Sequence, residues 1–251
     1  MAQLIADTVR SNPKAVLGLA TGRTPEAVYS ALCEKHRLEG LDFEQVTTFN
    51  LDEYIGIPAS HPQSYRSTME QALFKHVNIK PANTHLPNGM AEDLDAECIK
   101  YEKKIAASGG IDLQLLGIGL NGHLAFNEPL SSLASRTRTK TLTPETRQQN
   151  SAFFGGPDNV PSRAVTMGVG TILESRWCVM LATGESKAAI LQKAIEGPVC
   201  SVVTASALQM HRRCTVIVDE SAAAQLTFSN YYRWVFENEP EWAPYRQLVA
   251  T

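Results

Sequence analysis

Three short apolar runs in this chain end in glycine-bearing turns that lead toward helical segments, and that repeated punctuation leaves few folds open. Ala15–Leu19 passes into Ala-Thr-Gly-Arg-Thr-Pro at 20–25, with Pro25 placed for the first turn of a helix to about His36. Leu113–Ile118 breaks at Gly119 and Gly122, where backbone freedom is needed. Trp177–Ala182 passes into Thr-Gly-Glu-Ser-Lys-Ala at 183–188 and a helix to Glu196. Apolar runs of this length read as buried strands. Alternating with helices, they imply a mainly parallel sheet covered on both faces. The expected fold is therefore α/β, a single doubly wound, Rossmann-like domain over residues 1–251. No internal repeat, low-complexity segment or linker divides it.

The remaining segments fit that frame. Leu4, Ile5 and Val9 line one face of a first helix, stopped by Asn12-Pro13. Val46–Leu51 is a strand ending at Asp52-Glu53-Tyr54, and Ser64–Phe74 is a helix. Residues 93–107 form a helix with acids at its start (Asp93, Asp95, Glu97) and lysines at its end (Lys100, Lys103, Lys104), the order the helix dipole favours. The later half of 131–143 alternates like an exposed or edge strand. Thr143 caps the next helix, Pro144 opens it and Gly155-Gly156-Pro157 breaks it. Thr215–Val218 is the last strand, and a helix from about Ser221 closes the chain.

Composition excludes several classes. A net charge of −3 gives no electrostatic reason to expect nucleic acid or an anionic membrane as partner. No apolar run approaches the roughly 20 residues a membrane span needs. The first residues lack the regions of a signal peptide, so a cytoplasmic protein is expected. The five cysteines are widely spaced and never form Cys-x-x-Cys, which fits reduced thiols, with Cys178 and Cys214 as small core residues. With no paired histidines either, a metal site is not expected.

The chemistry concentrates in Leu116–Pro129, Leu-Gly-Ile-Gly-Leu-Asn-Gly-His-Leu-Ala-Phe-Asn-Glu-Pro. A surface loop is rarely this apolar, and a core strand would not carry two glycines, a histidine and a glutamate. The economical reading is a strand that delivers His123, flanked by Asn121 and Glu128, to a site; the bland one is a core histidine beside a tight turn. Asp52 stands where open α/β sheets place catalytic groups, though acids at strand ends are also common as solvated turn residues. The turn at Thr21, Gly22, Arg23 and Thr24 is a general anion cradle at a helix start. It has neither P-loop nor Gly-x-Gly-x-x-Gly spacing, so ATP and NAD are not implied. Lys187, in the first turn of its helix, opposes the dipole preference, which an anion nearby would explain.

Leu-Asp-Glu-Tyr-Ile-Gly at 51–56, Gly-Ile-Gly-Leu-Asn-Gly-His-Leu-Ala-Phe-Asn-Glu-Pro at 117–129 and Met-Gly-Val-Gly-Thr-Ile-Leu at 167–173 resemble the glucosamine-6-phosphate deaminase family over nearly the whole chain. The resemblance implies isomerisation and deamination of glucosamine 6-phosphate to fructose 6-phosphate and ammonia, with no metal or organic cofactor. It makes Asp52 the base at C2 and His123 the proton carrier of ring opening, with Asn121 and Glu128 orienting and polarising the imidazole. The phosphate is expected on the N–H groups of Thr21, Gly22, Arg23 and Thr24 and on Lys187. Ser131, Arg138, Lys140 and Thr141 match positions that bind N-acetylglucosamine 6-phosphate between subunits of hexameric members, so an allosteric site and a homo-oligomer are open; a polar edge strand is the plainer reading.

The chain also departs from the family pattern. It has Asn121 where some members have aspartate, and it starts inside the first helix where members usually begin with a strand. Ala152 stands where many members carry a phosphate-binding arginine, and Arg23 stands where they have a small residue; Arg23 is expected to take over that arginine's role. Competing functions are a deaminase or isomerase for another 6-phospho amino sugar such as galactosamine 6-phosphate, a 6-phosphogluconolactonase-type hydrolase, and a non-catalytic sugar-phosphate-sensing domain.

Overall fold

The computed structural model describes residues 1–248. In chain order the elements are α1 (Ala2–Ser11), β1 (Val16–Leu19), α2 (Arg23–Glu39), β2 (Thr47–Asn50), β3 (Asp52–Tyr54), α3 (Tyr65–Ala72), β4 (Thr84–His85), α4 (Leu94–Ala107), β5 (Leu113–Leu116), β6 (Arg138–Thr141), α5 (Pro144–Phe154), β7 (Arg163–Thr166), α6 (Val169–Leu173), β8 (Cys178–Ala182), α7 (Ala188–Ile195), β9 (Cys214–Val218), α8 (Glu220–Ala223) and α9 (Ser229–Asn238). The boundaries follow local chemistry. Ser64, Asp93 and Thr143 each accept a backbone N–H at the start of α3, α4 and α5. Gly40 and Gly155, in the left-handed region, end α2 and α5.

The main sheet has the order β4-β2-β1-β5-β8-β9 and is parallel throughout. The chain runs outward from β1 to β2 and β4, then returns to β5 on the other side of β1 and continues to β8 and β9. That reversal opens a crevice beyond the carboxyl ends of β1 and β5, the place where open α/β sheets bind ligands. Leu17, Leu19, Phe49, Leu113, Leu115, Val179 and Leu191 are at most 1% exposed at the centre of one long core. Each such side chain contributes roughly 1.5–3 kcal/mol on burial. This packing holds the short ladders together.

The doubly wound parallel sheet is the expected one, but a second sheet is not. β3, β7 and β6 form an antiparallel three-stranded sheet, with Asp52 and Arg138 both in register with Thr166. Asp52 thus begins a strand of this second sheet and does not merely end β2. Leu51 is the pivot: its N–H donates to Leu19 O at 3.1 Å in the main sheet, and its carbonyl accepts from Met167 N at 2.7 Å beside the other. β6 is the edge strand expected, in the smaller sheet. β4 is a two-residue strand within the Pro- and Asn-rich connection that precedes α4, and the helix expected to close the chain from about Ser221 is split into α8 and α9.

Gly18 in β1 lies opposite Phe49 on one side and Gln114 on the other. A Cβ there would stand 2.0 Å from the Gln114 side-chain oxygen, and Gln114 is fully buried. Gly18→Ala should therefore lower stability by about 1–3 kcal/mol, the usual cost of overpacking. Combining it with Gln114→Ala should recover most of the loss. Urea unfolding of the two variants measures both effects, and an unchanged midpoint for Gly18→Ala would show that the contact is relieved by other means.

Candidate active site

Residues 119–131 follow β5 at the carboxyl side of the β1/β5 reversal. The loop folds back at once: Gly119 N donates to His123 O and Gly122 N to Gly119 O, both at 3.0 Å, with Gly122 at φ +84°. A Cβ on Gly119 would sit 2.3 Å from His123 Nε2, so the imidazole lies over a position that only glycine can occupy. Two non-glycine residues, Ala125 (φ 51°) and Leu130 (φ 70°), are also left-handed. Such conformations cost on the order of 1–3 kcal/mol and persist where the surroundings over-determine them. Here they do: Thr204 Oγ1 accepts from Leu124 N and donates to Asn127 O at 2.9 Å, and Asn127 Nδ2 donates to Leu124 O and Met167 O. Leu130 N donates to Ser201 O at 2.7 Å.

Glu128, 3% exposed, organises the polar part of the loop. One oxygen accepts from the Thr143 N–H at 3.0 Å and from its hydroxyl at 3.3 Å; the other accepts from Asn121 Nδ2 at 3.0 Å. His123 Nδ1 lies 3.4 Å from that second oxygen, at ion-pair distance without a well-aligned hydrogen bond. Burial alone would raise the carboxyl's pKa, but the contacts with His123, Thr143 and Thr146 outweigh it and hold it at about 2. Glu128 is thus a fixed anion beside the imidazole. The expectation that Asn121 orients the ring directly needs correction: its carbonyl accepts the His123 backbone N–H at 3.2 Å, and its amide reaches Glu128. The amide has one acceptor end and one donor end, and these two partners use both.

Asp52 is 6% exposed and its carboxyl is pushed up to about 8, by burial first and by neighbouring Glu53 second, the Phe126 N–H offsetting only part. Glu53 points the other way and is 4% exposed. Its two oxygens accept the backbone N–H groups of Tyr54, Tyr65 and Arg66, each at 2.9 Å, so it anchors the start of α3. Tyr65, placed by that anchor, reaches Tyr54 OH at 3.3 Å and stacks on Phe126. Glu53, Tyr65 and Thr143 are partners that sequence reasoning did not single out; the adjacent acid pair Asp52-Glu53 was the visible signal for the first.

The anion cradle lies at the carboxyl end of β1. Gly22 caps α2 at φ +117° without a side-chain acceptor, so the N–H groups that follow are not taken by a cap. Lys187 comes from across the reversal: its Nζ donates to Ile118 O at 2.6 Å, just past β5, and burial lowers its pKa. Arg23 is exposed, with its guanidinium 5.4 Å over the ring of Phe153, the residue after Ala152. The four residues of the expected second site have these surroundings within one chain. Ser131 is buried and Arg138 donates to Asn127 Oδ1 at 2.9 Å, whereas Lys140 and exposed Thr141 lie further along β6. Among the described residues no helix is long and apolar enough to cross a membrane, and no three His, Cys, Asp or Glu side chains converge as metal ligands.

Residues 1–217 match the family model of glucosamine-6-phosphate isomerases/6-phosphogluconolactonase. A glucosamine-6-phosphate deaminase of Hahella chejuensis is 54% identical, over 90% of this chain and 87% of that one. Another, of Streptomyces coelicolor, is 48% identical over 96% and 93%. Among solved structures, a monomeric glucosamine-6-phosphate deaminase superposes with a TM-score of 0.88 at 46% identity, covering 89% of this chain and 93% of the other. A 6-phosphogluconolactonase from Trypanosoma cruzi gives 0.72 at 25% identity, covering 90% and 91%.

The state of Asp52 has a consequence for stability. Its folded pKa of about 8 lies above the unfolded value of about 3.9, so the folded chain holds the proton more tightly. Stability is therefore lost as pH rises between those values. Asp52→Asn removes the penalty and should melt higher than the native chain at pH 8.5, with the difference shrinking toward pH 4. A variant that melts lower at pH 8.5 would show that the carboxylate stabilises the fold.

Proposed function

The chain belongs to the glucosamine-6-phosphate isomerase/6-phosphogluconolactonase family, and from that premise we propose which of its groups do the work. Its reaction is isomerisation and deamination of glucosamine 6-phosphate to fructose 6-phosphate and ammonia. The observation that carries the assignment is a buried carboxylate without a cation, Asp52, held by the second sheet against the loop that presents His123 and Glu128.

The closed sugar must first open, which moves a proton from O1 to the ring oxygen. His123 can relay it, because Glu128 beside it is ionised and compensates the imidazolium that forms. Asp52 then takes the C2 proton and returns it at C1. The aldehyde carbon becomes a hydroxymethyl group and the amine-bearing carbon an imine; water adds there, ammonia leaves, and the C2 ketone remains. A base for a carbon-bound proton benefits from a high pKa near the working pH, which burial gives Asp52. Hydrolysis of a lactone has no such carbon acid to deprotonate, so the desolvated carboxylate favours the deaminase over the lactonase. Within one chain Arg138 is spent on Asn127 and Ser131 is buried, so regulation at Ser131, Arg138, Lys140 and Thr141 would need a second copy to complete that site.

Ammonia release from a panel of 6-phospho amino sugars tests the reading. Glucosamine 6-phosphate is expected to turn over with stoichiometric fructose 6-phosphate, and Asp52→Asn should lose roughly 10²–10⁴-fold, as for removal of a general base. Native-like ammonia release by a folded Asp52→Asn protein would refute the role of Asp52.

Phosphate binding has its own test. The cradle of Thr21, Gly22, Arg23 and Thr24 together with Lys187 leaves a dianion short of bidentate partners, and Arg23 stands over the ring of Phe153, the residue next to Ala152. Removing a charged hydrogen bond costs roughly 1.5–3 kcal/mol, so Arg23→Ala should raise the Michaelis constant about ten- to a hundredfold. Ala152→Arg in that background should recover part of the loss. An unchanged Michaelis constant would mean that Arg23 stays on Phe153 and leaves the phosphate alone.

A further inference from the structure

Asp52 and Glu53 are consecutive, both are nearly fully buried, and no lysine, arginine or histidine stands within ion-pair distance of either among the described residues. This is unusual, since buried charges are ordinarily paired. Arg66, whose backbone N–H binds Glu53, turns its guanidinium away to Glu70 and Thr84. The groups that face the pair are Tyr54 on the same strand, Tyr65 of α3, Tyr101 of α4 and, from the loop, the Phe126 N–H; opposite Glu53 across the ladder is Val165. All are neutral. The fold therefore surrounds two carboxyl groups with dipoles and leaves any compensating cation to come from outside.

The two carboxyl groups are not equivalent. Glu53 accepts three backbone N–H groups, which offset part of the upward push that burial gives its carboxyl, and it is directed away from Asp52, as alternation along a strand requires. It cannot touch a ligand bound at Asp52. It can act on one only through its charge and through the position it gives Tyr65. The substrate deduced above carries an ammonium on C2, the carbon whose proton Asp52 removes.

We propose that Glu53 is a specificity-determining residue: its locked carboxylate adds negative field at Asp52, so that the site favours a sugar phosphate carrying an ammonium at C2 over one carrying a hydroxyl there. The inference rests on the assignment of Asp52 as the base at C2. When the ammonium arrives it supplies the missing cation, Asp52 gives up its proton to solvent, and the base is ionised only in the complex that needs it. A sugar phosphate with a hydroxyl at C2 leaves Asp52 protonated and idle. The raised pKa of Asp52, caused in second place by Glu53, agrees with this geometry.

The test compares two open-chain ligands that cannot react, 2-amino-2-deoxyglucitol 6-phosphate and glucitol 6-phosphate, by calorimetry on the native chain, Glu53→Gln and Glu53→Asp. The native chain should prefer the amino ligand. Glu53→Gln should narrow that preference by about tenfold, the scale of one unit charge acting across a short stretch of protein. Glu53→Asp keeps the charge and should keep the preference even if both affinities fall. A purely structural role would weaken both ligands equally in Glu53→Gln, and an unaltered preference in that variant overturns the inference while leaving Asp52 as base. No preference in the native chain would overturn both. Should Glu53→Gln fail to fold, the native chain still decides: at pH 7 the amino ligand should release more protons on binding than glucitol 6-phosphate, measured in two buffers of different ionisation enthalpy. Equal release by the two ligands would sink the proposal.

Discussion

The polar architecture of this molecule hangs on the Glu128 carboxylate. It is the acceptor at which the loop after β5, the start of α5 and the imidazole of His123 meet. A buried carboxylate is tolerated only when its lone pairs are met, and here backbone, hydroxyl and amide donors meet them. The same set of contacts explains why residues 119–131 can carry Ala125 and Leu130 in left-handed conformations. Strain in the loop is balanced by hydrogen bonds at its anion and by the Thr204 and Asn127 side chains behind it. The carboxylate that steadies the histidine thereby also closes the loop.

Asp52 is governed by the opposite logic. Where Glu128 is oversupplied with donors and held at about 2, Asp52 is deprived of them and pushed up to about 8. Two carboxyl groups serving one crevice are driven apart in pKa by environment, and that separation divides their roles between fixed counter-charge and proton acceptor. The second sheet produces the difference. By drawing the chain out of the main sheet at Leu51, it takes Asp52 from the end of β2 and sets it opposite Thr166, whose hydroxyl oxygen accepts the Phe126 N–H at 3.1 Å.

Much of this was legible in the sequence. The runs at Ala15–Leu19, Leu113–Ile118 and Trp177–Ala182 are apolar because they are buried on both faces, and their glycine turns mark the carboxyl ends where a site must lie. His123 and Glu128 stood out as polar residues in apolar surroundings, and Asp52 as an acid at a strand end. The second sheet did not stand out. β3 and β7 have three and four residues, too few for a period of two to show, and their pairing across more than a hundred positions leaves no local trace. The partners of Asn121 were equally hidden. An amide two residues before a histidine suggests a contact with the ring, but the turn at Gly122 brings its carbonyl to the backbone N–H and its amino group to Glu128.

The aromatic cluster shows how the two halves of the site are kept in register. Tyr54 follows Asp52 on β3, Phe126 lies between His123 and Glu128, Tyr65 opens α3, and Phe154 ends α5. Tyr54 contacts each of the other three, with ring centroids between 4.8 and 5.6 Å. These contacts are individually modest, roughly 0.5–1.5 kcal/mol each beyond the area they bury. They are nevertheless the direct packing between the strand that carries the base and the loop that carries the histidine. Hydrogen bonds from Phe126 and Asn127 to Thr166 and Met167 tie the loop to the second sheet, and the rings add packing between the loop and β3 itself. A carboxylate that must meet a carbon-bound proton needs placement to within a fraction of an ångström, and rigid rings with only two side-chain torsions supply it at little entropic cost.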